Sequence, residues 1–303
     1  MLENILSVLP ETIAQEIRRM NTSRGINEIR LRVGKRVTII SSDMELSLSS
    51  VVSLSDLLDI LVKVSKNSIY AIQNEINNGF VVIRGGHRIG ICGEVVMQDG
   101  KIKNIKNINS MNIRVAREII GSADKIIPYL INGNGIKNAL IVSPPGCGKT
   151  TILRDLVRQV SNGVSLLGLK GENVGLVDER GEIASVAYGI PNLDVGKRTD
   201  ILSNVPKSIG IEMMVRSMGI SVIATDEIGS KADIEAIKYA SLSGVHMIFT
   251  MHGSSFLDIK KKAGMKELLE EGIFDVMILL SNKNGPGTIE LIENATTLIR
   301  EVI

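Results

Sequence analysis

Tryptophan is absent from this 303-residue chain, and phenylalanine and tyrosine number four each. So little aromatic surface leaves few platforms on which single-stranded bases could stack. Two cysteines, Cys92 and Cys147, cannot build a disulfide framework, which points to a reducing compartment. With three histidines beside them, a zinc site is not expected. Charge of one sign is lacking too: 35 Lys and Arg against 33 Asp and Glu give a formal +2, so no global field gathers nucleic acid or anionic lipid. The N-terminal residues 1–7 have neither the basic stretch nor the apolar run of a secretory signal. No segment reaches the roughly 18 consecutive apolar residues a membrane-spanning helix needs. The chain is therefore expected to be soluble and cytoplasmic, with any membrane role arising through a partner.

Apolar residues make up 44% of the chain, enough for a packed core, and the length predicts two domains. The first part reads as mixed α and β. Apolar positions at Leu2, Ile5, Leu6, Leu9, Ile13 and Ile17 predict helix broken by Pro10. Residues 29–33 alternate apolar and basic, as a half-buried strand does, and Gly34-Lys35 turns into a second strand over 37–40. A helix is expected over 54–72, then strands over 80–84 and 88–96 joined by Gly85-Gly86-His87. Seven Lys and Arg against two acids between Arg84 and Arg117 form a basic stretch, either a solvated face or a functional one.

From about residue 119 the pattern changes. Strand-sized apolar runs at 139–142, 174–178, 222–226, 247–251 and 276–280 alternate with helix-length segments. That alternation predicts a largely parallel sheet covered by helices on both faces. The expected division is an α+β domain over 1–118, a linker region over 119–136 and an α/β domain over 137–303. Asn284-Gly-Pro-Gly287 predicts an antiparallel hairpin that closes the sheet edge with residues 289–292.

Ser143-Pro144-Pro145-Gly146-Cys147-Gly148-Lys149-Thr150-Thr151 follows an apolar strand and precedes a helical run. This is the strand–loop–helix setting of a Walker A phosphate loop, whose backbone N–H groups cradle phosphates at a helix N-terminus. Lys149 would reach the β- and γ-phosphates of ATP, Thr150 would ligate Mg²⁺ and Thr151 would touch the α-phosphate. Ser143 stands where the pattern has its first glycine. Because close phosphate approach falls on Gly146 and Gly148, the loop is expected to survive.

Downstream by 77 residues from Lys149, an apolar strand ends in Asp226-Glu227, matching a Walker B motif. Asp226 would hold Mg²⁺, directly or through water, and Glu227 would polarise the attacking water. A second strand ends in Asp178-Glu179-Arg180-Gly181-Glu182, which reads either as part of the site or as a solvated loop with a local ion pair. A third ends in Thr250-Met251-His252; His252 is either a site residue or a structural histidine bonding its own loop, and His246 reads as structural.

Walker A, the acidic box, Walker B and the Thr250-x-His252 box, in this order, resemble the secretion ATPases of type II and type IV systems. The phrases Glu28-Ile-Arg-Leu-Arg-Val33, Gly85-Gly-His-Arg-Ile-Gly90, Asn112-Ile-Arg-Val-Ala-Arg117, Val177-Asp-Glu-Arg-Gly-Glu-Ile183, Arg198-Thr-Asp-Ile-Leu202 and Val215-Arg-Ser-Met218 are similar, over nearly the whole chain, to the stage III sporulation protein AA family. The resemblance implies a RecA-like P-loop core behind a smaller α+β N-terminal domain. It implies an ATPase that energises the mother cell–forespore channel, docked to membrane proteins of that complex and assembled as a homo-oligomer, a hexamer among relatives. It also implies that N-terminal arginines contact nucleotide, for which Arg84, Arg88, Arg114 and Arg117 are candidates, with Arg216 a further auxiliary residue. Secretion ATPases often carry Gly-Glu at Walker B where this chain has Asp226-Glu227, so Glu227 is the first choice of base and Glu182 the next. Two other readings stay open: a nucleotide-binding scaffold with little hydrolysis, and a nucleic-acid-associated ATPase. Few aromatics and near-neutral charge disfavour the latter, and direct nucleic-acid contact is not expected.

Overall fold

The computed structural model describes residues 2–20, 25–41, 44–116, 118–133, 135–186, 189–262 and 264–295. The chain divides into two compact units, Met1–Arg117 with Ser185–Asn192, and Glu118–Ala184 with Leu193–Ile303.

The N-terminal unit begins with helices α1 (Leu2–Leu6) and α2 (Glu11–Arg19), parted at Pro10. Strands β1 (Ile26–Arg32), β2 (Arg36–Ser41) and β3 (Glu45–Val51) follow, then α3 (Leu54–Val64) and α4 (Gln73–Asn77). Strands β4 (Phe80–Ile83), β5 (His87–Gln98) and β6 (Lys101–Arg114) complete a six-stranded antiparallel sheet, ordered β3-β2-β1-β6-β5-β4. Alternation does the sorting here: Ile29 and Leu31 enter the core, while Arg30 and Arg32 face away from it. Ser53 and Asp56 cap α3 reciprocally, which fixes its start. The helix expected over 54–72 stops at Val64, because Lys66 and Asn67 adopt φ of 50° and 65°, which no α-helix carries.

The second unit holds α5 (Ile127–Leu130), the short pair β7 (Ile131–Asn132) and β8 (Gly135–Ile136), β9 (Ala139–Ser143) and α6 (Lys149–Asn162). It continues through β10 (Val174–Asp178), β11 (Thr199–Ser203), α7 (Lys207–Ser217), β12 (Val222–Thr225), α8 (Lys231–Leu242) and β13 (His246–His252). It ends with α9 (Phe256–Lys260), α10 (Met265–Glu270), β14 (Val276–Ser281) and β15 (Thr288–Asn294). The sheet order is β11-β10-β12-β13-β9-β14-β15, parallel throughout except for the β14–β15 hairpin. Every residue of β9, β10 and β12 is buried, as continuous apolar runs demand when helices cover both faces. Phe249 and Phe274 meet edge to face at 6.5 Å in the core, each ring adding about 2 kcal/mol by burial.

The segment 119–136, expected as a linker, packs into this unit. Ala123, Ile126, Ile127 and Leu130 are fully buried, and the Ala123 N–H donates to Asp155 of α6 at 2.9 Å. Strand β11 was not foreseen; its lone apolar pair Ile201-Leu202 lies at a sheet edge, where one face gives no alternation to detect.

Candidate functional site

Side chains of chemical interest gather where the parallel strands of the second unit end. Ser143 closes β9, fully buried, and its hydroxyl donates to the Pro144 carbonyl at 2.8 Å. The chain passes Pro144, Pro145, Gly146 and Cys147 to Gly148, which caps α6. Gly146 and Gly148 adopt φ of 75° and 82°, the left-handed region that favours glycine. A Cβ on Gly148 would also stand 3.1 Å from the Gly287 nitrogen. Gly287, in the turn between β14 and β15, donates its N–H to the Cys147 carbonyl at 2.9 Å. The hairpin therefore buttresses the loop, a contact no sequence pattern announces. Cys147 is buried with its thiol 3.7 Å from the Pro145 carbonyl, a packing position. Thr150 and Thr151 sit in the first turn of α6, where free N–H groups and the helix dipole favour anions.

The Lys149 ammonium turns inward. Its Nζ is 3.0 Å from the Ser143 carbonyl, 3.1 Å from Ser143 Oγ, 3.1 Å from the Pro144 carbonyl and 3.0 Å from His252 Nδ1. Burial draws its pKa below the usual lysine value while the Glu227 charge opposes that. An ammonium only donates, which assigns His252 Nδ1 as acceptor and puts the ring proton on Nε2. That nitrogen lies 2.7 Å from Glu227 Oε1. The other oxygen, Oε2, accepts from Arg180 Nη1 at 2.7 Å. Lys149, His252, Glu227 and Arg180 thus form one polar line over the ends of β9, β13, β12 and β10, four neighbouring strands. His252 is not confined to bonding its own loop, and Arg180 pairs across strands rather than locally. Lys262 donates to the His252 carbonyl.

Glu227 holds φ of 50°, and its N–H donates to the fully buried Thr250 Oγ1 at 2.9 Å. Beside it Asp226 is 2% exposed, just past the end of β12. Desolvation first, and the Asp178 charge next, push its carboxyl up to about 6. Asp178 is handled otherwise: its buried carboxylate accepts from the N–H groups of Glu182 at 2.9 Å, Ile183 at 3.2 Å and Ala184 at 2.9 Å. Arg154, a buried residue of α6, donates to the Ile183 carbonyl at 2.5 Å and the Glu182 carbonyl at 2.6 Å. The acidic box is therefore anchored at its base by buried groups, while Arg180 and Glu182 reach solvent. Arg154 went unnoticed because its only sequence signal is a cation on the inner face of a helix.

The remaining candidates are placed as follows. Glu179 pairs with Lys207 at the start of α7. The Glu182 side chain is exposed, outside the polar line. Arg216 is exposed in the last turn of α7. In the N-terminal unit Arg84 is exposed in the turn before β5, Arg88 lies over the Phe80 ring at 3.6 Å, and Arg114 Nε is 3.4 Å from Glu28 Oε1. Arg117 lies outside the described residues.

Thr150 and Asp226 offer hard oxygen donors, and burial beside Asp178 raises the pKa of the Asp226 carboxyl, whose charge a nearby cation would favour. A divalent cation sharing its coordination with phosphate oxygens fits this donor set, since Mg²⁺ uses one or two carboxylates rather than a full protein cage.

The family model described as sporulation stage III, protein AA, matches residues 2–298. Stage III sporulation protein AA of Bacillus subtilis (strain 168) is 39% identical over 294 residues, covering 96% of this chain and 94% of that protein. Among solved structures, the pilus retraction motor PilT with bound ADP aligns with a TM-score of 0.59 at 15% identity, over 89% of this chain and 76% of that one. The Legionella pneumophila ATPase DotB aligns at 0.58 and 14% identity, with the same coverages. These likenesses establish the fold, a RecA-like P-loop core. No helix among the described residues is long and apolar enough to cross a membrane.

Proposed function

Because the chain belongs to the family described as sporulation stage III, protein AA, we propose that it is a Mg²⁺-dependent ATPase energising the mother cell–forespore channel complex during endospore formation. One observation supports this above the others: Lys149, His252, Glu227 and Arg180 stand in one hydrogen-bonded line over four parallel strand ends, above a phosphate loop and beside a buried Asp226. P-loop enzymes hold the reacting γ-phosphate at that edge.

The loop N–H groups and the α6 N-terminus bind the phosphates. Lys149 leaves its carbonyl partners to offset charge on the β- and γ-oxygens. Glu227 orients the water and takes its proton as the oxygen attacks phosphorus in line and the bond to the β–γ bridging oxygen breaks. Thr150 and Asp226 would hold Mg²⁺, which when bound would supply further positive charge against the phosphates. The chain works as a homo-oligomer, a hexamer as among relatives. It acts in the mother-cell cytoplasm, recruited to the membrane by proteins of the channel complex.

Steady-state ATP hydrolysis by the purified chain, beside Lys149→Ala, tests this reading. Turnover is expected in the parent and a loss of at least about 10³-fold in the variant, from the missing phosphate contact and charge. Activity that survives Lys149→Ala in a pure sample sinks the assignment.

A further inference from the structure

Arg180 is held as a group in waiting would be. Its side chain is 58% exposed, and its guanidinium meets Glu227 at 2.7 Å. Its loop, by contrast, is rigid at the base. Asp178 takes three N–H groups of residues 182–184, and Arg154 reaches from α6 to hold two carbonyls of the same segment. The helix that begins with the phosphate loop thus also fixes the loop that carries Arg180. A guanidinium mounted on such a base loses little entropy when it meets a new anion.

The other described arginines of this unit are differently engaged. Arg154 is buried on its carbonyls, Arg158 is bound to Asp155 at 2.6 Å, Arg198 donates to the Ser161 carbonyl at 3.1 Å, and Arg216 sits on the outer turn of α7. Among the described arginines of this unit, Arg180 is the one whose partner is the candidate base.

That partnership is unproductive as it stands. A carboxylate bonded to a guanidinium on one oxygen and to His252 Nε2 on the other has both oxygens engaged, so neither is turned to an attacking water. Lys149, at the far end of the same line, is tied to His252. Capture of Lys149 by phosphate removes the donor at His252 Nδ1 and loosens the other end of the line.

We propose that Arg180 is a catalytic residue supplied by the chain itself: an arginine parked on Glu227 that transfers to the γ-phosphoryl oxygens, freeing the Glu227 carboxylate and placing a bidentate cation on the transition-state charge. This rests on the ATPase reading above and extends it. The transfer exchanges one ionic hydrogen bond for another, and no covalent bond is made or broken by Arg180. The proton of the attacking water goes to the Glu227 oxygen that Arg180 vacates.

The experiment compares the full chain with Arg180→Ala, Arg180→Lys and Lys149→Ala. The readouts are ATP turnover and the affinity for ADP with and without aluminium fluoride, a mimic of the phosphoryl group in flight. Arg180→Ala is expected to lower kcat by about 10²–10³-fold, the scale of a lost transition-state donor. Its affinity for ADP alone should stay within about twofold of the parent, and the tightening by aluminium fluoride should vanish. Arg180→Lys, which keeps the charge and loses the fork, should recover only part of both effects. Aluminium fluoride that tightens ADP equally in parent and Arg180→Ala overturns the proposal, while Lys149-dependent turnover leaves the ATPase reading standing. Turnover that ignores Lys149→Ala overturns the ATPase reading itself, a separate outcome. Co-assembly of Arg180→Ala with Lys149→Ala chains should restore no activity; recovery would move the arginine's action to a neighbouring copy and refute supply by the same chain.

Discussion

Glu16, on α2 of the N-terminal unit, is met by the N–H and hydroxyl of Ser49 and of Ser50, all within 3.1 Å. Those bonds hold its carboxyl down at about 2. Asp226, in the second unit, has been taken out of water beside Asp178, and its carboxyl is pushed up to about 6. Both groups come from short polar interruptions of apolar segments. The first is satisfied by its own fold, so its charge stabilises the structure. The second is buried beside another acid with only the Lys207 charge opposing, so its charged form costs stability. A buried carboxylate held against desolvation is what the proposed cation site calls for.

The widest gap between the two kinds of carboxylate is expected in turnover. Glu227→Gln should cut ATP hydrolysis by roughly 10²–10³-fold while leaving ATP binding near that of the parent, since it removes the proton acceptor and keeps the shape. Unimpaired turnover there, with a loss in Glu182→Gln instead, would move the base to the exposed acid and break the link between strained, engaged carboxylates and chemistry.

Next in size is stability. A carboxyl whose pKa rises from 3.8 unfolded to about 6 folded binds more protons when folded, so stability falls as pH climbs from about 4 to 6 and stays low above. Asp226→Asn should therefore stabilise the nucleotide-free chain at pH 7.5 by on the order of 2–3 kcal/mol, from about two pKa units. Differential scanning fluorimetry at pH 4.5 and 7.5 reads this as a gain present only at the higher pH. The same variant should lose the extra stabilisation that Mg²⁺ with ADP gives the parent.

The smallest effect belongs to Glu16, with opposite sign. Its folded carboxyl lies below the usual 4.5, so its contribution is full above that pH and fades as pH falls toward about 2. Screening by solvent discounts the shift at this accessible position, and Glu16→Gln should cost about 1 kcal/mol at pH 7 in chemical denaturation. A stabilised Glu16→Gln, or a destabilised Asp226→Asn, would erase the distinction between the two carboxylates.

Much of the site was readable along the chain. The phosphate loop is local in sequence: Gly146, Gly148 and Lys149 act through backbone geometry within a few residues, and a fully buried strand on its N-terminal side is an unmistakable apolar run. Asp226-Glu227 could be found the same way. The line from Lys149 to Arg180 could not, because it joins residues 103 and 47 positions apart through the order in which strands lie side by side. Nor could the role of Asp178, which depends on where three N–H groups fold back. The 119–136 segment misled for a related reason. Its Asn and Gly residues signal turns, but its buried Ile and Leu declare themselves only once α6 and Asp155 are beside them.

Composition and local pattern were sufficient for the parallel character of the second sheet, the terminal hairpin and the glycine turn between β9 and α6, since propensity, periodicity and glycine conformation act over a few residues. Strand order was not local, and with it went the pairing of His252 with both Lys149 and Glu227, the contact of Arg180 with Glu227 and the burial of Asp226 beside Asp178. Those are consequences of burial and of contacts between distant segments, where the free energy depends on which groups the packed sheet brings face to face.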